Sequence, residues 1–253
     1  MTAALEVSNL TVRFGHFTAV DGVSLHLAPG TRHALIGPNG AGKTSLVHAI
    51  TGNVPVAGGT VHVDGTVVTR MTQAARVRMG LARTFQINQL FRGLTVLDNV
   101  RLTIFEREQK TRVFWRSARA DRAVDTEARE LLAFVHLEKY SDHVVHALPY
   151  GIQRLLEIAI ALATKPRVLV LDEPAAGVPA MQSESIFERI RDLPRDLTLL
   201  FVEHDMKLVF RFAERISVLV GGRVLTEGTP KEISADERVR EVYLGRRSGH
   251  VVA

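Results

Sequence analysis

The chain has no cysteine, which excludes a disulfide framework and any thiolate metal site. That composition fits a reducing compartment. No run of 18 or more apolar residues occurs. The best candidate, Leu155 to Ala163, is short and carries Glu157, so no membrane-spanning helix is expected. Met1 to Leu10 carries Glu6 and no basic stretch, so no secretory signal is read there. Internal repeats, heptad arrays and low-complexity linkers are also missing. The charge is not extreme: a formal +5 over 253 residues suffices for solubility, and no nucleic-acid partner is expected.

What is present is the composition of a soluble globular protein, with 46% hydrophobic and 23% charged residues, long enough to bury a sizeable core. Leu5 to Leu27 alternates apolar and polar residues and reads as strands. His33 to Ile36 is a short apolar strand running into a glycine-rich loop, and Ser45 to Thr51 continues as a helix ending near Gly52. Thr60 to Gly65 and Thr66 to Val68 read as further strands. From Leu97 to Leu137 glycine is scarce and helices are expected, including a polar stretch from Glu106 to Arg129 that contains Trp115. Such a charged run is read as a solvated face in preference to an insertion that meets a partner. Gln153 to Thr164 is an amphipathic helix. Val168 to Leu171, Leu197 to Val202 and Ile216 to Val220 are apolar runs that suit buried parallel strands. Strands alternating with helices imply a parallel sheet with crossover helices.

Gly37-Pro38-Asn39-Gly40-Ala41-Gly42-Lys43-Thr44 matches G-x-x-x-x-G-K-[ST] in full, between a strand and a helix. Its glycines let successive backbone N–H groups face phosphate oxygens at a helix N-terminus. Lys43 supplies a point charge at the β- and γ-phosphates, and the Thr44 hydroxyl is a hard ligand suited to Mg²⁺. The motif by itself specifies nucleotide phosphates and nothing finer.

Val168 to Leu171 ends in Asp172-Glu173, which places two carboxylates at a strand's C-terminal end, where ligands sit in open α/β sheets. Asp172 suits Mg²⁺ through water, and Glu173 suits a role in orienting the attacking water. Leu199 to Val202 repeats the pattern and ends in Glu203-His204. His204 is placed to donate to a γ-phosphate.

In this order the pieces resemble the ATP-binding subunit of ABC transporters, over roughly residues 5 to 247. Gly37 to Ser45 resembles that family's Walker A loop, with Ser45 near the α-phosphate, and Val168 to Glu173 its Walker B strand. The resemblance implies adenine stacking on Phe14, a Q-loop glutamine at Gln86 that touches Mg²⁺ and senses the membrane partner, a switch histidine at His204, and a D-loop at Ala175-Ala176-Gly177-Val178. The family's signature, usually Leu-Ser-Gly-Gly-Gln, corresponds to Leu148-Pro149-Tyr150-Gly151-Ile152-Gln153, whose Tyr150, Gly151 and Gln153 would serve the partner's site. Pro149 replaces the serine and removes a hydroxyl and a backbone N–H, so ATP-driven closure is expected to be weaker here. Proline is also well tolerated at a helix start.

The implied fold is an α/β P-loop NTPase core with a mostly parallel sheet, an N-terminal antiparallel β-subdomain and an inserted α-helical subdomain. One ABC ATPase domain is expected, with residues 1–88 and 165–253 forming the core and 89–164 the helical part. Arg154 to Ala159, Asp172 to Gly177, Val202 to Val209, Gly228-Thr229-Pro230 and Val242-Tyr243-Leu244-Gly245 resemble the branched-chain amino acid import branch, although Val178-Pro179-Ala180 departs from its usual Leu-Asn-Pro. The resemblance implies ATP and Mg²⁺, transmembrane permease subunits, a second ATP-binding subunit, an external solute-binding protein reached indirectly, and a peripheral place on the cytoplasmic face of the cell membrane. A lipopolysaccharide-export ATPase shares the fold and a similar tail, and a non-transport ABC ATPase is a third reading at this level.

Overall fold

The computed structural model describes residues 2–84, 90–109 and 121–244. The chain forms two compact units, one built from Met1–Gln73 and Thr198–Ala253, the other from Ala74–Leu197.

The first unit holds β1 (Leu5–Phe14), β2 (Phe17–Leu27), β3 (Arg32–Ile36), α1 (Lys43–Thr51), β4 (Gly58–Val63), β5 (Thr66–Val67), β8 (Thr198–Val202), α7 (Met206–Phe212), β9 (Arg215–Val220), β10 (Arg223–Gly228), α8 (Pro230–Ala235) and α9 (Glu237–Leu244). The expected alternation appears as an antiparallel sheet in the order β2-β1-β4-β5. Leu5, Val7, Leu10 and Val12 of β1 are buried, as are Val20, Val23, Leu25 and Leu27 of β2. The same unit contributes β3, flanked in parallel by β8 and β9. All five residues of β3 and all five of β8 are buried, because strands covered on both faces shed no side chain to water. The β10 strand, which the apolar runs did not announce, closes this edge antiparallel to β9. Thr229 caps α8: its hydroxyl accepts the Glu232 N–H, and the Glu232 carboxylate accepts the Thr229 N–H at 2.7 Å, with Pro230 in the first turn.

The second unit holds α2 (Gln73–Arg78), β6 (Leu81–Arg83), α3 (Val96–Arg107), α4 (Arg122–Phe134), α5 (Tyr150–Ala163), β7 (Val168–Asp172) and α6 (Ala180–Arg191). The β6 and β7 strands pair in parallel with Arg83 opposite Val170. Helices α3, α4 and α5 bury Val96, Val100 and Ile104, then Val124, Ala128 and Leu132, then Leu156 and Ala159, at the three-to-four spacing of apolar helix faces.

Among the described residues of the charged stretch from Glu106 to Arg129, part of the charge is held in pairs between helices rather than solvated. Arg107 grips Glu127 through two bonds of 2.7 and 2.8 Å and donates to the Ala163 carbonyl at 2.7 Å. Arg101 joins Asp98 at 2.9 Å and also pairs with Asp125. Two arginines of α3 thus tie down α4, and one of them also holds the end of α5. Residues 110–120, including Trp115, lie outside the described residues.

Candidate active site

In the first unit the phosphate loop has two glycines at which neighbouring backbone leaves no room for a side chain. At Gly37 a Cβ would collide with the Leu219 carbonyl oxygen, and at Gly42, which sits at φ 100°, with that of Ala19. Gly42 is the N-cap of α1. Any other residue there would combine a left-handed conformation with a backbone clash. The loop is anchored from outside: the Gly222 N–H donates to the Ala41 carbonyl at 2.9 Å, and the Asp21 N–H to the Gly222 carbonyl at 2.8 Å.

The Lys43 ammonium is buried inside this turn and donates to the carbonyls of Gly37 at 2.8 Å and Pro38 at 3.1 Å. Asn39 and Gly40 are exposed, Pro38 and Ser45 half-buried, and the Thr44 hydroxyl group belongs to an exposed residue. The first amides of α1 have no intrahelical acceptor. Glycines with no room for a Cβ, backbone amides at a helix start and a tethered cation make a fit for nucleotide phosphates.

Register places His204 beside this loop. Leu35 of β3 pairs with Val202 of β8, so Gly37 and His204 each lie two residues beyond the same rung. His204 is exposed, and its backbone N–H donates to the buried Glu203 carboxylate at 3.1 Å. Phe14 ends β1 opposite Phe17, and both rings are exposed. Apolar patterning alone would have buried them. Tyr243 of α9 was noted in the sequence only as part of a branch pattern. Its hydroxyl meets the Gly37 backbone, and burial pushes it up to about 12 despite that contact.

In the second unit Asp172 ends β7 and Glu173 follows with φ 49°. A non-glycine residue in the left-handed region is strained, and such strain gathers at functional sites. No sequence motif gives Arg83 a role. It ends β6, and its Nη2 donates to Asp172 Oδ2 at 2.5 Å, with only 7% and 12% of the two side chains exposed. Gln86 lies outside the described residues.

Pro149 is the N-cap of α5, one position before the first helical residue, and its carbonyl accepts the N–H groups of Ile152 at 3.0 Å and Gln153 at 3.1 Å. An N-cap amide points away from the helix, so the missing N–H leaves the helix itself intact. Gly151 is buried in the first turn and Tyr150 is exposed. Gln153 turns inward, its amide nitrogen donating to the Leu148 carbonyl at 2.8 Å. The Tyr150 ring lies under the Arg154 guanidinium, 5.2 Å from its centroid, and packs against Gly177. Arg154 in turn donates to Glu157 at 3.0 Å. Burial pushes the Glu157 carboxyl up to about 7, while Arg154 pulls it back down.

A metal here would rest on few protein groups. Among the described residues no three His, Asp or Glu side chains cluster so as to hold one. Mg²⁺ nonetheless takes hard oxygen donors alongside substrate phosphates, and Thr44 in the first unit and Asp172 in the second each offer one.

The sequence profile of the ABC transporter family matches residues 20–176, and that of the branched-chain amino acid ATP-binding cassette transporter matches residues 223–248. The chain is 37% identical over 249 residues to the high-affinity branched-chain amino acid transport ATP-binding protein BraF of Pseudomonas aeruginosa, covering 95% of this chain and 97% of that one. It is 38% identical over 251 residues to LivG of Escherichia coli strain K12, with the same coverage. Among solved structures it is similar to an ATP-binding cassette of an ABC transporter in its ADP conformation, with TM-score 0.85, 30% identity, and 97% of this chain and 100% of that chain covered. A nucleotide-free cassette gives 0.84 at the same identity and coverage.

Proposed function

This chain belongs to the ABC transporter family as an ATP-binding subunit homologous to branched-chain amino acid import ATPases, and from that premise we propose how its residues divide an import cycle. The protein binds ATP and hydrolyses it to ADP and phosphate.

Phe14 stacks on adenine. Residues Gly37 to Ser45 hold the phosphates through backbone N–H groups, and Lys43 offsets their charge. Thr44, Gln86 and Asp172 would hold Mg²⁺, which when bound would supply charge neutralisation at the phosphates. Glu173 accepts a proton from the attacking water. The water oxygen bonds to the γ-phosphorus as the bond to the ADP oxygen breaks. His204 donates to the γ-phosphate oxygens as charge shifts. The helical stretch 89–164 carries the signature, of which Tyr150 and Gly151 face the ATP of a second subunit. Gln153, bonded to Leu148, supports that turn from inside.

Two such subunits close head to tail around two ATP molecules and move transmembrane permease subunits through the Gln86 region, on the cytoplasmic face of the membrane. The solute, delivered by an external binding protein, is a branched-chain or related hydrophobic amino acid. The C-terminal match at residues 223–248 supports this branch.

The observation that carries the reading is the phosphate loop: Gly37 and Gly42 pressed against backbone carbonyls, with Lys43 tethered between. Reconstitution with candidate permease subunits and a solute-binding protein tests the reading. ATP-dependent uptake of leucine, isoleucine or valine is expected, and uptake of none of the hydrophobic amino acids overturns the solute assignment.

A further inference from the structure

Arg83 and Asp172 are 89 positions apart in sequence and meet at the C-terminal ends of two adjacent parallel strands. The backbone at this point is fixed, since the Thr84 N–H donates to the Val170 carbonyl at 3.0 Å. Only the two side chains remain to be set. Both are largely out of water, so solvent does not orient the Asp172 carboxylate; the guanidinium does.

A buried ion pair contributes little to stability compared with an apolar pair of the same volume. Its retention beside a catalytic carboxylate therefore calls for another reason. Arg83 is not distributing its donors through a structural network, either: its Nε is buried with no hydrogen-bond partner among the described residues, while its short bond goes to one oxygen of Asp172. That bond takes Oδ2 and leaves the other oxygen for a further partner. Ligating carboxylates are typically held by such an outer hydrogen bond, which fixes the orientation of the ligand.

We propose that Arg83 is a positioning residue for Mg²⁺ binding: it locks Asp172 through Oδ2 and presents the remaining carboxylate oxygen to the metal or to its water. The inference rests on the reading of Asp172 as the metal's carboxylate.

The test is a Mn²⁺ titration of the full-length protein with ADP, reading free Mn²⁺ by electron paramagnetic resonance. Metal-free ADP affinity and a thermal melt serve as the check on folding. For Arg83→Met, Mn²⁺ affinity should fall roughly 10- to 100-fold, with metal-free ADP binding within about twofold of wild type. Arg83→Lys, which keeps the charge but loses the planar fork, should recover part of the loss, and it decides the matter if the methionine variant does not fold. Unchanged Mn²⁺ affinity in the folded variants overturns the proposal. So does tighter binding, which would make Arg83 a competitor of the metal. Asp172→Asn separates the two readings: if that variant binds Mn²⁺ like wild type, the assignment of Asp172 itself fails, whereas loss there without loss at Arg83 removes only the present inference.

Discussion

His33 Nε2 and Ser217 Oγ lie 2.8 Å apart on adjacent buried strands, and the Ser217 hydroxyl donates onward to Glu227 at 3.0 Å. Since the single Ser217 proton goes to Glu227, His33 must donate from Nε2. That leaves Nδ1 bare, and it is buried without a partner among the described residues. Protonating Nδ1 would put a charge in the core. Burial accordingly lowers His33 to about 4, with Glu227 opposing and Arg215 adding to the shift. The sign is that of a group kept neutral by folding: between pH 6.5 and 4 the unfolded chain binds the proton and the folded chain does not. Stability should therefore fall as pH drops through that window, by about 3 kcal/mol in all. Urea melts from pH 7 to 4.5 check this against His33→Gln, whose pH slope should be shallower; equal slopes would remove His33 from the account.

Glu173→Gln keeps the size of the side chain and removes its basicity. ATP turnover should fall by at least about a hundredfold, with ATP binding retained. Single-turnover hydrolysis and equilibrium nucleotide binding measure the two separately, and a variant with full turnover would rule out Glu173 as the base.

Pro149→Ser restores a hydroxyl and an N–H at the N-cap of α5. Serine is a good N-cap, so folding should not suffer. If the proline weakens closure, ATP-induced dimerisation should tighten about tenfold, the equivalent of one added hydrogen bond. Analytical ultracentrifugation in the Glu173→Gln background reads this without interference from turnover. No gain over the parent would show that Pro149 is an ordinary helix start.

The phosphate loop was legible because its residues are contiguous and the flanking strand and helix carry their own periodicity. The buried strands β3, β7 and β8 were legible as short apolar runs, those of β7 and β8 ending in polar groups, and family resemblance then supplied roles for Asp172, Glu173 and His204. The rest depends on contacts that leave no local pattern. Arg83 is one arginine among many until β6, only three residues long, sets it against Asp172. Tyr243 reaches Gly37 only once α8 and α9 are folded back. The inward turn of Gln153 and the left-handed backbone of Glu173 are properties of the folded chain. The Arg107–Glu127 pair shows the same limit: charge in a helical run reads as surface until a second helix closes over it.

The strained backbone at Glu173 bears on how this sequence could drift. Its φ of 49° is the region where glycine and asparagine sit with least penalty. Selection for heat resistance alone would favour those residues at position 173 and discard the carboxylate. With Glu173 as the proposed base, position 173 is where stability and turnover pull in opposite directions. A thermostabilised version of this subunit obtained without an activity screen should be sequenced there first.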